Sequence, residues 1–488
     1  MRLTKLMQSL AEAKMLYDGQ DYEREIDGLY TDSRKVKKSG LYVCLTGGEK
    51  DGHAFAKEAV ARGAVALMVE RRLPLNVPQL LVKDSRAGLS YVAAAFYGHP
   101  AKELKIIGIT GTNGKTTTAY MLASVLRRAG KNVATVGTLG VFYGKKKRSC
   151  GLTTPDPVFM QEVYADMVAC GVEYVVEEVS AHALYYRKDA GIQYASCIFT
   201  NLSRDHLDFF GEMDAYRRTK LTLFDRKKCE IAIVNADDDC CEDIKRLRAG
   251  ERVVTYGLEN PADCFAIVTD EKLFREEFML NLFDRLCRVR LKMTGRHNVY
   301  NALAAAACAF RLGINVGAIG GGLGEISSIT GRLQRVGEYR GAQLFVDFAH
   351  TPDGLEKSLS ALKSNCRGRL ICLFGCGGNR DKTKRPLMGE TVAKLGDFAV
   401  LTSDNPRYED PLDIISDIEV GVRKISNRYV IVPDRERAIE YALGILCDGD
   451  VLMVAGKGGE EYQEIMGIKY PFKDQDVLRK MIEKQSVK

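Results

Sequence analysis

Several absences narrow what this chain of 488 residues can be. No apolar run approaches the roughly 18 residues that a membrane-crossing helix needs. There is no short internal repeat and no low-complexity tract. A hydrophobic content of 46% with 28% charged residues implies no large disordered region. The 14 cysteines include no pair at zinc-ligand spacing. Most, such as Cys44, Cys197, Cys308 and Cys372, lie singly in apolar segments, where a free thiol serves as a small core residue. Positive charge is not concentrated either: 71 basic against 64 acidic residues give a dispersed +7. The one dense run, Lys145-Lys146-Lys147-Arg148, reads as a solvated hairpin tip. Nucleic-acid binding would want a larger basic face with interleaved aromatics, and a substrate rich in phosphate and carboxylate explains the surplus equally well. Residues 1–15 are amphipathic and charged, unlike a signal peptide. The expectation is a soluble, reduced, cytoplasmic protein without membrane insertion or nucleic-acid partner.

A chain this long calls for about three domains. Residues 1–100 alternate short strands (41–45, 64–69, 79–82) with helical stretches such as 55–62, until Tyr97-Gly-His-Pro-Ala101 breaks the pattern as a linker. Residues 101–330 carry β-rich runs at 104–109, 174–179, 195–200, 230–234 and 252–256, with helical patterns between and an Ala-rich helix over 298–312. Residues 331–488 repeat the theme at 344–348, 370–374, 398–402, 429–432 and 451–455. The fold expected is α/β in three domains, with a doubly wound central sheet of P-loop type and a C-terminal Rossmann-like α/β domain.

The chemistry begins at Gly108-Ile-Thr-Gly111-Thr112-Asn113-Gly114-Lys115-Thr116-Thr117-Thr118. An apolar strand precedes this run and a helical pattern follows it. In that setting backbone N–H groups and a helix N-terminus can cradle nucleotide phosphates. Lys115 would neutralise the β/γ-phosphates and the Thr116 hydroxyl could bind Mg²⁺. The standard expression expects Gly where Ile109 stands, yet the strand–loop–helix setting favours phosphate binding over a structural turn. ATP or a close relative is the expected ligand.

Polar clusters follow the C-terminal ends of six apolar runs: 178–182, 201–208, 347–353, 375–385, 404–407 and 456–460. Ligands of open α/β sheets bind outside those strand ends. One such cluster would be an ordinary loop; six together describe a cleft. Glu178, Ser180, His182, Asp205, His206 and Asp208 offer oxygen and imidazole groups. Singly, each reads equally well as a cap or a satisfied polar residue; beside a phosphate loop, metal binding is the better reading. Arg380, Lys382, Lys384 and Arg385 follow a Gly-rich turn and suit anionic ligands. Asp404-Asn405-Pro406-Arg407 could hold a zwitterionic amino acid, although either loop alone is more often a surface turn.

These motifs, in order across the chain, resemble the ATP-dependent Mur ligases of peptidoglycan synthesis. The carrying segments are Asp32-Ser-Arg34, Gly111–Thr116, Thr153-Thr154-Pro155, Glu178-Val-Ser180-Ala-His182, Thr200-Asn-Leu-Ser-Arg-Asp-His206-Leu-Asp208, Gly295-Arg-His-Asn298, Asp347-Phe-Ala-His-Thr-Pro-Asp353, Gly375–Asp381, Lys384-Arg-Pro386, Asp404–Arg407 and Ala455-Gly456-Lys-Gly458. The resemblance implies that residues 1–100 hold a uridine nucleotide, with Ser33 as a contact. Thr153, Thr154, Ser180 and Lys188 would hold the nucleotide-peptide, UDP-MurNAc-L-Ala-D-Glu. Gly111–Thr117, Asn301, Arg332 and Asp347 would contact ATP, the last near the ribose. Thr116, Glu178, His206 and Lys220 would be Mg²⁺ ligands, Lys220 as a carbamate; Lys115, His206 and Lys220 would be catalytic. A lysine ammonium cannot ligate a cation, whereas its CO₂ adduct can; without the resemblance, Lys220 reads as a surface helix residue.

The incoming amino acid would meet Arg380, Asp404, Asn405, Pro406, Arg407, Gly456 and Glu460. The Arg form of the 404–407 loop resembles members that add meso-diaminopimelate. Its distal carboxylate could pair with Arg407 and Arg380, and lysine would leave a buried guanidinium unpaired. Five positions depart from the family's pattern: Gly459 replaces a His beside Glu460, Phe348 a Tyr, Tyr186 a Gln, Lys188 an Arg and Phe210 a His. Lys188 keeps the charge but not the bidentate fork. The resulting expectation is a monomeric ligase acting through an acyl phosphate. The alternatives are a paralogue adding L-lysine or another amino acid, and a nucleotide-binding regulator without turnover.

Overall fold

A computed structural model describes residues 1–17, 19, 23–47 and 50–486. The chain is α/β. Its described residues form two compact units, the first from residues 1–108, 132–197 and 222–230, the second from the remainder. Strands Lys105–Thr110, Tyr194–Phe199 and Cys229–Asn235 each begin in the first unit and end in the second. No helix among the described residues is long and apolar enough to cross a membrane.

The first unit opens with a five-stranded sheet in the order Lys14–Leu16, Gln79–Leu81, Ala64–Val69, Gly40–Val43, Gly28–Tyr30. Only the Lys14–Leu16 edge is antiparallel. Side chains alternate across the pleat. Leu41, Val43, Ala66 and Met68 therefore pack with Leu89 and Val92 of helix Ser85–Phe96 on one face. Tyr42, Cys44, Leu67 and Val69 pack with Ala56 and Ala59 of helix Ala56–Ala61 on the other. The same unit pairs Val133–Gly137 in parallel with Tyr174–Glu178. Strands Gly140–Tyr143 and Lys146–Arg148 make the expected basic hairpin.

In the second unit, helix Lys115–Arg128 follows the Gly111–Gly114 loop. An antiparallel meander, Cys264–Lys272, Arg275–Leu282 and Arg285–Leu291, went unforeseen because its outward positions carry charge and blur the apolar signal. The Ala-rich helix spans Arg296–Arg311 and is followed by a second helix, Val316–Glu325. The C-terminal sheet runs Gln334–Tyr339, Ala342–Asp347, Val451–Ala455, Leu370–Phe374, Phe398–Leu401, Tyr429–Ile431, parallel after its first pair. The last parallel strand in sequence inserts between the two first, so the strand order reverses there. Such a reversal opens a crevice at the strands' C-terminal ends. Asp347 closes one such end, and Gly375, Thr402 and Gly456 each follow one. An unexpected hairpin, Tyr462–Ile465 with Ile468–Pro471, comes next in the chain.

Candidate active site

Strand Lys105–Thr110 delivers Gly111 with φ +146°, and Gly114 follows with φ +86°. A Cβ on Gly111 would lie 1.9 Å from Thr200 Oγ1, and one on Gly114 would lie 2.4 Å from Asn301 Oδ1. Both positions therefore exclude any side chain. The loop is braced from the 200–203 segment: Asn113 N–H donates to Asn201 Oδ1 at 3.0 Å, and Thr200 Oγ1 donates to the Asn113 carbonyl at 2.6 Å. Lys115 Nζ curls back onto the carbonyls of Gly111 and Thr112, 2.9 Å from each. Helix Lys115–Arg128 starts without a side-chain cap, so its first N–H groups face the loop with the helix dipole behind them.

The C-terminal domain reaches this loop within the same unit. Arg332 Nη2 donates to Thr116 Oγ1 at 2.8 Å, and Asn113 Nδ2 donates to Asp353 Oδ2 at 2.7 Å. The Arg332 guanidinium lies 4.3 Å from the centre of the Phe348 ring. Phe348 thus supplies a cation–π face that needs no phenolic hydroxyl. Asn301 is buried, with Nδ2 donating to Asn298 Oδ1 at 3.1 Å. Asp347 is buried too, its Oδ1 accepting from Leu333 N–H and Phe348 N–H and its Oδ2 from the Ser358 hydroxyl.

Lys220 is only 1% exposed, not the surface position that its helix alone would suggest. Tyr216 and Lys220, four residues apart on helix Met213–Leu221, both face inward. Its Nζ donates to the Gly111 carbonyl at 2.8 Å and sits 4.5 Å from the Tyr216 ring centre. Burial, and secondly the nearby Lys115 ammonium, take its pKa well below the usual lysine value, with Asp205 opposing. Asp205 is a buried hub: Lys384 Nζ stands 3.4 Å from Oδ1, and His206 and His350 stand 3.4 and 3.7 Å from Oδ2. Burial alone would raise its pKa, but His350, Lys384 and His206 together hold it well below the carboxylate range.

In the first unit, Thr153, Thr154, Glu178, Ser180 and Lys188 come together. Glu178 accepts from Thr138 N–H at 2.9 Å and Thr138 Oγ1 at 3.1 Å, while Thr138 Oγ1 lies 3.2 Å from Thr153 Oγ1. Thr154 Oγ1 donates to the Glu178 carbonyl at 2.8 Å and accepts from Ser180 N–H at 3.0 Å. Lys188 Nζ pairs with Asp156 at 2.7 Å. Ser33 is placed apart from these, buried, its hydroxyl donating to Glu58 at 2.9 Å. The departure at Tyr186 and its neighbour Arg187 have partners in helix Ser85–Phe96. The Arg86 guanidinium stacks 4.1 Å from the Tyr186 ring centre, and Ser90 Oγ donates to the Arg187 carbonyl at 3.0 Å.

The 404–407 loop is no surface turn: Asp404, Asn405 and Pro406 are buried, and Arg407 is half-buried with φ +53°. Arg380, by contrast, is exposed. Asn405 Nδ2 donates to Glu460 Oε2 at 2.8 Å, and buried Lys457 reaches both Asn405 Oδ1 and Glu460 Oε2, at 3.0 and 3.1 Å. Glu460 is therefore anchored without an imidazole at Gly459. Gly456 backs onto Asp404, whose Oδ2 would lie 2.4 Å from an added Cβ. Behind the loop, buried Arg435 pairs with Asp474 at 2.8 Å and donates to the carbonyls of Ser403 and Ala455. Sequence reasoning did not single out Arg435 or Glu464, because their partners are distant in sequence.

Comparison with known proteins matches residues 25–108 to the Mur ligase family catalytic domain, 109–309 to the Mur ligase middle domain and 331–458 to the Mur ligase glutamate ligase domain. A UDP-N-acetylmuramoyl-L-alanyl-D-glutamate–2,6-diaminopimelate ligase of Geobacillus thermodenitrificans is 40% identical over 94% of this chain and 96% of its own. The chain belongs to the Mur ligase family. A second relative of that name, numbered 1 in Clostridium acetobutylicum, is 41% identical over 98% of this chain and 99% of its own. A solved structure of a 2,6-diaminopimelate ligase of the same name superposes with a TM-score of 0.69 at 32% identity, covering 96% of this chain and 97% of that one. This Mur ligase thus spans nearly the whole length of these relatives, with the departures at Phe348, Tyr186 and Gly459 each given a partner or a substitute contact.

Proposed function

We propose that this Mur ligase joins meso-diaminopimelate to UDP-MurNAc-L-Ala-D-Glu in peptidoglycan synthesis, with ATP converted to ADP and phosphate. The observation that carries the reading is the near full-length identity to ligases of that name. It is supported by a phosphate loop whose two glycines admit no side chain. Residues 1–100 are assigned the uridine nucleotide, with Ser33 as contact, 101–330 ATP and 331–488 the amino acid. Thr153, Thr154, Ser180 and Lys188 are assigned the peptide end of the acceptor. Gly111 to Thr117, Asn301, Arg332 and Asp347 are assigned ATP, and Arg380, Asp404 to Arg407, Gly456 and Glu460 the amino acid. One chain supplies every residue, so a monomer suffices, and water-soluble nucleotide substrates fit the cytoplasm.

A carboxylate is a poor electrophile at neutral pH, so it must be activated. An oxygen of the D-glutamyl carboxylate attacks the γ-phosphorus and the bond to ADP breaks, leaving an acyl phosphate. The amine of the amino acid adds to the acyl carbon, and phosphate departs with the former carboxylate oxygen. Lys115 and the N–H groups opening helix Lys115–Arg128 offset charge on the transferred group. Among the described residues no three His, Cys, Asp or Glu side chains gather into a metal cage. Mg²⁺ does not require one, since it keeps waters and takes oxygens from phosphates. Thr116, Glu178 and His206 are assigned as Mg²⁺ ligands and carbamylated Lys220 as ligand of a second ion, and Mg²⁺, when bound, would neutralise phosphoryl charge. Burial that favours the neutral amine of Lys220 fits CO₂ addition, which needs the free lone pair. An acceptor with heavy oxygen in its D-glutamyl carboxylate should pass one labelled atom to each phosphate released. Unlabelled phosphate alongside product would overturn the acyl-phosphate route.

A further inference from the structure

Arg407 already has a carboxylate beside it. Its Nη1 donates to the Gly378 carbonyl at 2.7 Å, and its Nε stands 3.3 Å from Glu464 Oε2, both side chains being about one-fifth exposed. The pairing is built into the backbone. Arg407 N–H donates to the Glu464 carbonyl at 3.0 Å, Met466 N–H to the Arg407 carbonyl at 2.6 Å, and Glu464 N–H to Asn405 Oδ1 at 2.9 Å. Glu464 lies on the hairpin strand Tyr462–Ile465, outside the loops that sequence motifs singled out.

We propose that Glu464 is a specificity-determining residue that tempers this ligase's preference for an amino acid with a distal carboxylate. The inference rests on the reading of Asp404–Arg407 as the amino-acid loop. A guanidinium has five N–H donors in a fixed fork, and Gly378 and Glu464 engage two of them. The rest can meet a ligand carboxylate, but that carboxylate must settle beside the negative charge of Glu464. A ligand ending in an ammonium alone meets no such repulsion, finds Glu464 as a counter-ion, and leaves Arg407 still paired. Lysine therefore leaves no orphaned guanidinium in this site. Selectivity follows from the balance between Glu464 and the ligand for Arg407.

Glu464→Gln keeps the shape and all the backbone hydrogen bonds while removing the charge. The test is the ratio of kcat/KM for meso-diaminopimelate to that for L-lysine, with an inhibition constant replacing kcat/KM for an amino acid that is not turned over. Glu464→Gln should raise that ratio by about three- to tenfold, the scale of a partly exposed ion pair. The change should appear in KM for the amino acid, with kcat and KM for ATP unmoved, and Glu464→Asp should restore most of the wild-type ratio. An unchanged or lowered ratio overturns the proposal, as does a rise confined to kcat. Arg407→Gln separates this from failure of the underlying reading. If it too leaves the ratio unchanged, the loop does not read the amino acid; if it alone shifts the ratio, only the role of Glu464 falls.

Discussion

Replacing Lys220 by Met should make this ligase more stable at neutral pH while disabling it. In the fold the lysine is 1% exposed, close to Lys115, and its pKa is lowered well below 10.5. The folded chain thus holds fewer protons there than the unfolded chain, so the penalty is complete at low pH and fades as pH rises toward 10.5. Each unit of depression costs about 1.4 kcal/mol. Met removes that penalty and forfeits one hydrogen bond, worth about 1 kcal/mol. The Gly111 carbonyl keeps its second donor, Lys115 Nζ. The variant should therefore gain on the order of 1–3 kcal/mol at pH 7, the usual scale for a poorly satisfied buried polar group. Near pH 10 the gain should vanish or reverse. With no tryptophan in the chain, urea unfolding is best followed by far-ultraviolet circular dichroism, in CO₂-depleted buffer so that the amine is unmodified. Turnover should fall at least about a hundredfold, as for loss of one group that stabilises transition-state charge. A variant less stable than wild type at both pH values would show that the lysine is held charged, and full turnover would remove it from the chemistry.

Glu276 accepts from Gly295 N–H at 2.6 Å just ahead of the helix that carries Asn298 and Asn301, and burial pushes its pKa from 4.5 up to about 7. The folded chain keeps a proton that the unfolded chain releases, so stability is lost as pH rises from 4.5 to about 7. Glu276→Gln should match wild type near pH 4 and exceed it by about 1–3 kcal/mol at pH 8, and a difference independent of pH would refute the assignment. Arg435→Met should cost about 3–5 kcal/mol by stranding buried Asp474. It should also raise KM for the amino acid and leave KM for ATP alone, because Arg435 holds the carbonyls of Ser403 and Ala455; equal changes in both KM values would argue for general loosening.

The sequence was most legible where local chemistry and topology agree. Gly111 and Gly114 announce close approach, and the parallel strands read as continuous apolar runs because both faces are covered. Helix Val316–Glu325 shows the opposite case. Its five glycines argue against a helix, yet an added Cβ on Gly322 would lie 2.5 Å from Val125 Cα, so close packing on helix Lys115–Arg128 repays the weak propensity. Lys220 shows its buried place only through the family resemblance, because helical spacing gives the inward face only when the partner surface is known. Glu464 carries no motif at all; its meaning comes from a strand pairing that sets it beside Arg407, fifty-seven residues away in number.

The most direct test of the central claim is phosphate release with ATP, Mg²⁺ and UDP-MurNAc-L-Ala-D-Glu, in parallel with meso-diaminopimelate and L-lysine, and with each product identified by mass. The account predicts release that requires both acceptor and amino acid, and a product heavier than the acceptor by one diaminopimelate residue. Phosphate release without the acceptor, or no adduct with diaminopimelate, would contradict it.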